Sequence, residues 1–339
     1  MDETRLHSLL AHFSGVRALV VGDFFLDRYL VIDPALAERS LETGLEAHQV
    51  VEVIASPGAA GTVTANLRAL GAAVAALGIV GDDGEGYELR RGLRAIGVDD
   101  SALVVAERWR TPTYTKPIVR GPNGPPQERE RLDIRTRAPA SPAAVDTLLE
   151  RLGDMVDRVD VVLVADQMPE PEHGSITGRV RDRLAHLAER RPGTWFLADS
   201  RERIGAFTNL IVKPNLRECA RAIFPDYRGE PSLPLARQAG DLLRRRTGRP
   251  VLVTLGADGM LVVTERGAEH VPALAVAGPI DTVGAGDSAL AAIAAGLCAR
   301  ATLAEAALLG NLAAAVTIQQ LGTTGTASPE QIAATWRSG

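Results

Sequence analysis

Between Arg17 and Glu265 the chain repeats one alternation that leaves few folds open. Short apolar runs, RALVVGD, AAVAALGIVG, DVVLVAD, TWFLADS, LIVKPN, PVLVTLG and MLVVTE, alternate with stretches of helical spacing. Strands that read as continuous apolar runs are buried on both faces, and consecutive parallel strands need a helical crossover. The pattern predicts an α/β fold with a mostly parallel central sheet and helices on both faces. Helices are expected near residues 3–13, 62–70, 84–96, 175–190 and 234–247. With 339 residues, 46% of them hydrophobic, the chain can bury a large core. No internal repeat or low-complexity linker divides it, so a single domain over residues 1–339 is expected.

Two segments break the pattern. HQVVEVIAS alternates like a sheet that faces water on one side, and residues 111–137 are rich in charge. There TPTYTKPIVR and QERERLDIRTR read as two exposed strands joined by the turn GPNGPP. A small β lid built from about 28–55 and 111–137 is expected, able to cover a site. The formal charge of −5, from 37 basic and 42 acidic residues, gives no global attraction for nucleic acid or an anionic membrane. No apolar run reaches the roughly 18 residues that span a bilayer. The start, MDETRLHSLLAHF, is too polar for a signal peptide, so a soluble cytoplasmic protein is expected. Cys219 and Cys298 have the spacing of neither a metal site nor a disulfide framework. Cys298 lies in an apolar helical pattern and is expected to be a buried thiol.

The stretch IDTVGAGDSALAAIAAGL, residues 280–297, carries the strongest chemical signal. Gly284 and Gly286 stand where a turn meets a long Ala-rich helix. Glycines there let backbone amides approach an anion, and a helix N-terminus supplies unpaired donors and partial positive charge. The chain contains no G-x-x-x-x-G-K-[ST], and GAGDSA is not a G-x-G-x-x-G turn after a first strand. Asp287, just inside the helix, has two readings. It is a helix-terminal acid favoured by the dipole, or a catalytic base beside an anion hole formed by the amides of Ala285, Gly286 and Asp287. A carboxylate suffices as base for phosphoryl transfer, because the loose transition state lets the attacking hydroxyl lose its proton late.

DTVGAGD at 281–287 closely matches the D-T-x-G-A-G-D signature of the ribokinase-like (PfkB) sugar kinases. The chain resembles that family over nearly its whole length. VVGDFFLDRYL, SPGAAGTVTANLRALGA, TKPIV, ERLDIRT, KPNLRE, VTLGADGM and QQLGTTGTASPEQI occur in the family's order. Within the family the similarity is greatest to the heptose-kinase domains that phosphorylate D-glycero-β-D-manno-heptose 7-phosphate at its anomeric hydroxyl. The adenylyltransferase half that accompanies such domains is absent from this sequence. The resemblance implies a ribokinase-like fold, ATP as co-substrate, Mg²⁺, and a sugar or sugar phosphate as acceptor. Other sugars, nucleosides or small alcohols serve as acceptors on the same fold, and a non-catalytic sugar- or nucleotide-binding protein is the rival reading.

By the same resemblance Asp287 is the base, with Gly284, Ala285 and Gly286 forming the anion hole. Asp27, acceptor-only and able to engage two hydroxyls, would hold the sugar, with Asp23 a second candidate. Gly58 matches the family's G-G-x-x-N element, but Ala59 replaces its second glycine and Thr62 stands at the asparagine. Asn66, one turn on, is a candidate to compensate. Lys116, Gln127, Arg131 and Asp133 lie on the lid strands. The resemblance has this flap excluding water, with Arg131 or Lys116 meeting a phosphate already on the substrate. KPNLRE carries the family's P-N-x-x-E element, which implies that Asn215 and Glu218 organise Mg²⁺ partly through water. The other reading of that pair is an N-cap and a first-turn acid. Lys213 would add positive charge nearby. Asp166 ends a strand where sheets of this class place ligand groups, but QMPE follows it in place of the heptose kinases' Tyr-Ala-Lys-Gly. Thr254, Gly256 and Gly259 resemble the nucleotide-side turn, and Asn311 corresponds to the border of the adenine pocket. Asp281, with carbonyls near Val283 and Gly322, resembles a K⁺ site found in some members. Exposed lid strands could pair two copies into a homodimer.

Overall fold

The computed structural model describes residues 1–120, 126–230, 232–322 and 324–338. Helix α1 (Glu3–Ala11) is capped by Asp2, whose carboxylate accepts from the Arg5 amide at 2.7 Å. Strand β1 (Arg17–Gly22) follows, then β2 (Phe24–Arg39), β3 (Glu46–Ala59), helix α2 (Ala60–Ala69), and strands β4 (Ala73–Leu77) and β5 (Ile79–Gly81). Helix α3 (Gly84–Ala95) leads to β6 (Val104–Ala106), β7 (Thr113–Val119), β8 (Gln127–Glu128) and β9 (Leu132–Ile134). Helices and strands then alternate through α4 (Pro142–Met155), β10 (Val161–Asp166), α5 (Gly178–Arg190), β11 (Trp195–Ser200), β12 (Ile211–Val212), α6 (Leu216–Ile223), α7 (Leu233–Thr247) and β13 (Val251–Thr254). The hairpin of β14 (Met260–Thr264) and β15 (Gly267–Val271) precedes three helices, α8 (Ala285–Cys298), α9 (Leu303–Thr317) and α10 (Pro329–Ser338).

Eight strands form the central sheet in the order β15-β14-β13-β12-β11-β10-β1-β4. The six from β13 to β4 run parallel, and β14 and β15 are antiparallel additions at one edge. Successive residues of β1 feed two cores. Ala18 and Val20 pack on one face, with α1, α2, α3, α8, α9 and α10; Leu19 and Val21 pack on the other, with α4, α5, α6 and α7. Helix α8 is the most enclosed of the described helices, with ten of its fourteen residues buried. Its small side chains make that possible: a Cβ on Gly296 would lie 2.8 Å from Leu309 of α9, so the two helices pack closely.

From β1 the chain moves to β4 on one side and only later returns to β10 on the other. Strand order reverses there, which opens a crevice at the carboxyl ends of the strands. A second sheet, ordered β3-β2-β7-β8 with β9 also on β7, stands beside that crevice. It begins earlier and ends later than residues 28–55, because β2 continues almost directly from β1 and β3 runs into α2.

Four local expectations need correction. AAVAALGIVG is not one strand. Gly78 interrupts it, where any Cβ would overlap the Gly22 carbonyl, and β5 leaves the central sheet to pair with β6. QERERLDIRTR divides into β8 and β9, both antiparallel to β7. Pro117 of β7 has no N–H to donate, so the ladder opens between the two pairings. HQVVEVIAS is uncovered on both faces: the adjacent Val50, Val51, Val53 and Ile54 are all exposed. The turn GPNGPP falls mainly on residues 121–125, outside the described residues. Cys298 is half-buried rather than enclosed, whereas Cys219 is fully buried.

Candidate active site

Gly284 caps α8 with φ 80°, a left-handed backbone that glycine adopts without strain. The first bond along the helix runs from the Ser288 amide to the Gly284 carbonyl at 3.0 Å. The Ala285 amide instead donates to the Thr282 carbonyl at 3.2 Å, so the donors best placed for an anion are those of Gly286 and Asp287. A Cβ on Gly286 would sit 3.5 Å from Lys213 Nζ, which places that ammonium beside the helix mouth.

Asp287 and Asp27 line one cleft of about 370 Å³, together with Thr62, Lys116, Arg131 and Gly284. Burial, then the charge of Asp199, pushes the Asp287 carboxyl up to about 7, while Lys213 and Arg201 pull it back. Burial also raises Asp27, against the nearby charges of Lys116 and Arg131. Asp27 is seated by Gly58 on the facing strand, since a Cβ at Gly58 would overlap its carboxylate. Lys116 stays charged despite partial burial because Tyr29 and Asp27 favour the ammonium, and Nζ donates to the Tyr29 hydroxyl at 3.3 Å. Arg131 lies over the Tyr114 ring at 4.0 Å and forms a two-pronged pair with Asp133 at 2.6 and 2.9 Å.

The other wall of the crevice is built from strand ends. Lys213, one residue past β12, is buried and pairs with Asp199 of β11 at 2.8 Å. Burial opposes its charge, but Asp199, Glu218 and Asp287 together hold the ammonium above its ordinary range. Asn215 and Glu218 form a reciprocal capping box on α6. The Glu218 amide donates to Asn215 Oδ1 at 2.9 Å and the Asn215 amide to Glu218 Oε2 at 2.7 Å. Burial raises the Glu218 carboxyl. Thr254 bridges to Asn215 from the end of β13, and Gly256 and Gly259 shape the turn that follows with φ of 63° and 91°. Asn311 is buried and donates to the carbonyls of Val271 and Pro272 at 3.0 and 3.1 Å, fixing the loop after β15. Asp281 accepts from the Val283 amide at 3.0 Å, and Gly322 has φ 71°.

Several candidates are committed elsewhere. Asp23 accepts from the amides of Gln167, Met168 and Ser175, so it fixes the loop after β10 instead of facing a sugar. Asp166 is paired with Arg203 and accepts from the Ser200 hydroxyl at 2.6 Å. The Asn66 amide donates to the Thr62 carbonyl within its own helix, and Gln127 is exposed on β8. Sequence reasoning passed over Phe25, Tyr114, Gln167 and Arg201, all of which line the cleft. Tyr114 could have been found from TPTYTKPIV, where it precedes Lys116 by two residues and so shares its sheet face. No local pattern marks Arg201.

A model of the family described as pfkB family carbohydrate kinase matches residues 26–125 and 197–331. The bifunctional protein HldE of Shewanella denitrificans is 31% identical over 329 residues, covering 96% of this chain and 64% of that protein. HldE of Trichlorobacter lovleyi is 31% identical over 341 residues, covering 98% and 65%. The chain thus spans about two thirds of the length of these relatives. Among solved structures, phosphofructokinase-2 from Escherichia coli in complex with potassium superposes with a TM-score of 0.70 at 20% identity, covering 95% of this chain and 99% of that one. Ribokinase from Thermotoga maritima gives 0.65 at 19% identity, with the same coverage. The ribokinase-like α/β fold follows from these likenesses.

Proposed function

Because the chain belongs to the pfkB family of carbohydrate kinases, and so to the phosphotransferases that act on an alcohol group, we propose that it transfers the γ-phosphoryl group of ATP to D-glycero-β-D-manno-heptose 7-phosphate, giving the 1,7-bisphosphate. The observation that carries this reading is the meeting of Asp27 and Asp287 in one cleft at the mouth of α8. Asp27 orients the acceptor hydroxyl and Asp287 takes its proton. The oxygen then bonds to the γ-phosphorus as the bond to the bridging oxygen breaks, and ADP leaves with the electron pair. The amides of Gly286 and Asp287, with Gly284 and Ala285 shaping the turn, hold the charge that develops on the phosphoryl oxygens. The second sheet closes over the sugar and keeps water out, as the lid of one kinase domain. Gly58 and Thr62 shape the floor beneath the acceptor. Lys116 and Arg131, with Asp133 holding Arg131 in place, face the phosphate the acceptor already carries.

Lys213, Asn215, Thr254, Gly256, Gly259 and Asn311 form the nucleotide side. Among the described residues no group of three or more His, Cys, Asp or Glu side chains could cage a metal. Magnesium needs none, since it keeps several waters and takes phosphate oxygens. Glu218 has one oxygen engaged by the Asn215 amide and, among the described residues, no hydrogen-bond partner on the other, which suits such an ion. Bound there it would neutralise phosphate charge. Asp281, with carbonyls near Val283 and Gly322, is the proposed K⁺ site. The uncovered β3 supports a homodimer formed through the second sheets. No described helix is long and apolar enough to cross a membrane, and we place the enzyme in the cytoplasm.

Thr62, standing in the cleft where the family's asparagine is expected, favours a second reading in which the acceptor is another sugar or sugar phosphate. A panel of both, incubated with ATP and Mg²⁺ and read by ADP release, tests the proposal. Heptose 7-phosphate should be turned over fastest. A faster unphosphorylated sugar would replace that acceptor, and ligand-induced stabilisation without ADP would identify a binding protein.

A further inference from the structure

Resting on that kinase reading, we propose that Arg201 is a catalytic residue that grips the transferring phosphoryl group together with the amides of the α8 mouth. Arg201 follows the last residue of β11, at the carboxyl edge of the sheet. It lines the cleft of Asp27 and Asp287, and it also lines a neighbouring cavity of about 410 Å³ bounded by Asn215 and Glu218. The residue therefore borders both the acceptor side and the nucleotide side, and its charge acts on Asp287.

The cations around the site differ in what they already hold. Lys213 is paired with Asp199, Arg131 with Asp133, and Arg203 with Asp166. Among the described residues Arg201 makes no ion pair and its side chain no hydrogen bond, although its main chain is pinned. Its amide donates to the Asp166 carbonyl at 3.1 Å, and its carbonyl accepts from Arg221 Nη2 at 2.5 Å. Arg221 is itself held by Glu202 at 3.4 Å. A fixed backbone with an uncommitted planar fork suits a group that closes on phosphate oxygens only when they arrive. It also suits the charge balance. Asp27, Asp287, Asp199 and Glu218 surround the site, and a nucleotide tail adds more negative charge. An unpaired cation at their junction lowers the barrier most when the oxygens of the phosphoryl group carry the transition-state charge.

The test uses the full chain with Arg201→Ala and Arg201→Lys. Steady-state ADP release is read with the best acceptor, alongside calorimetric binding of a non-hydrolysable ATP analogue and of ADP with aluminium fluoride. Arg201→Ala should lose roughly 10³-fold in kcat with little change in either KM. It should bind the ATP analogue like wild type but the aluminium fluoride complex far more weakly, and Arg201→Lys should recover part of the rate. Equal kcat in Arg201→Ala and an active wild type would overturn the role of Arg201 alone. So would a loss confined to the KM of a phosphorylated acceptor, which would make Arg201 a substrate-phosphate ligand. A wild type that releases no ADP with any acceptor would overturn the kinase reading and this role together.

Discussion

Asp287 would be a feeble base at the ordinary pKa of an aspartate, and its surroundings change that. With its carboxyl pushed up to about 7, it holds a proton below neutrality and can accept one above it. We expect kcat/KM to rise as pH increases through about 7 and then level off. Asp287→Asn should abolish that limb and lower kcat by roughly 10²–10⁴ while nucleotide still binds; a pH series on both proteins checks it. The same shift carries a cost in stability. The folded state favours the protonated acid, so the stabilisation from this group is complete below the unfolded value near 4 and lost as pH rises through 7. Asp287→Asn should therefore melt higher than wild type at pH 8, and the gap should close by pH 4. Asp27, Glu218 and Asp287 were candidates in the sequence because each sits at a fixed offset in a short motif, whereas Asp199, which acts on Asp287 and pairs with Lys213, carries no such mark. Asp23 and Asp166 misled because their partners, the 167–175 backbone and Arg203, come from segments that no local pattern links to them.

At the scale of elements, glycines decide how closely strands and helices approach. Gly58 gives Asp27 its room, so Gly58→Ala should push that carboxylate aside and raise the acceptor KM more than that of ATP. In β1, a Cβ on Gly22 would overlap the Ala165 carbonyl of β10. Gly22→Ala should cost about 1–3 kcal/mol in denaturant unfolding, whereas Gly84→Ala, with nothing within 4 Å, should be neutral or slightly stabilising. The parallel sheet was readable because its strands are apolar on both faces and bounded by helical periodicity. The break at Gly78 was not, because only the closeness of Gly22 and Phe24 forces it. The division of the last strand of the second sheet was partly readable, since Pro117 lies within TYTKPIV.

At the scale of the molecule, the main body is closed and the second sheet is not. Val51 and Val53 are 54% and 55% exposed on β3, an uncovered surface that a second copy would bury. Sedimentation over a concentration series should show a dimer, and Val53→Glu should shift it to monomer without lowering the melting temperature at dilutions where the wild type is itself monomeric. In the proposed mechanism two acids from opposite ends of the chain, Asp27 and Asp287, work on one hydroxyl beside the mouth of α8. The most direct measurement is single-turnover phosphoryl transfer from ATP to the best acceptor, comparing wild type with Asp287→Asn at matched nucleotide occupancy. Wild type should give a product burst, and the variant a rate lower by roughly 10²–10⁴. Transfer at the wild-type rate in Asp287→Asn would contradict that mechanism.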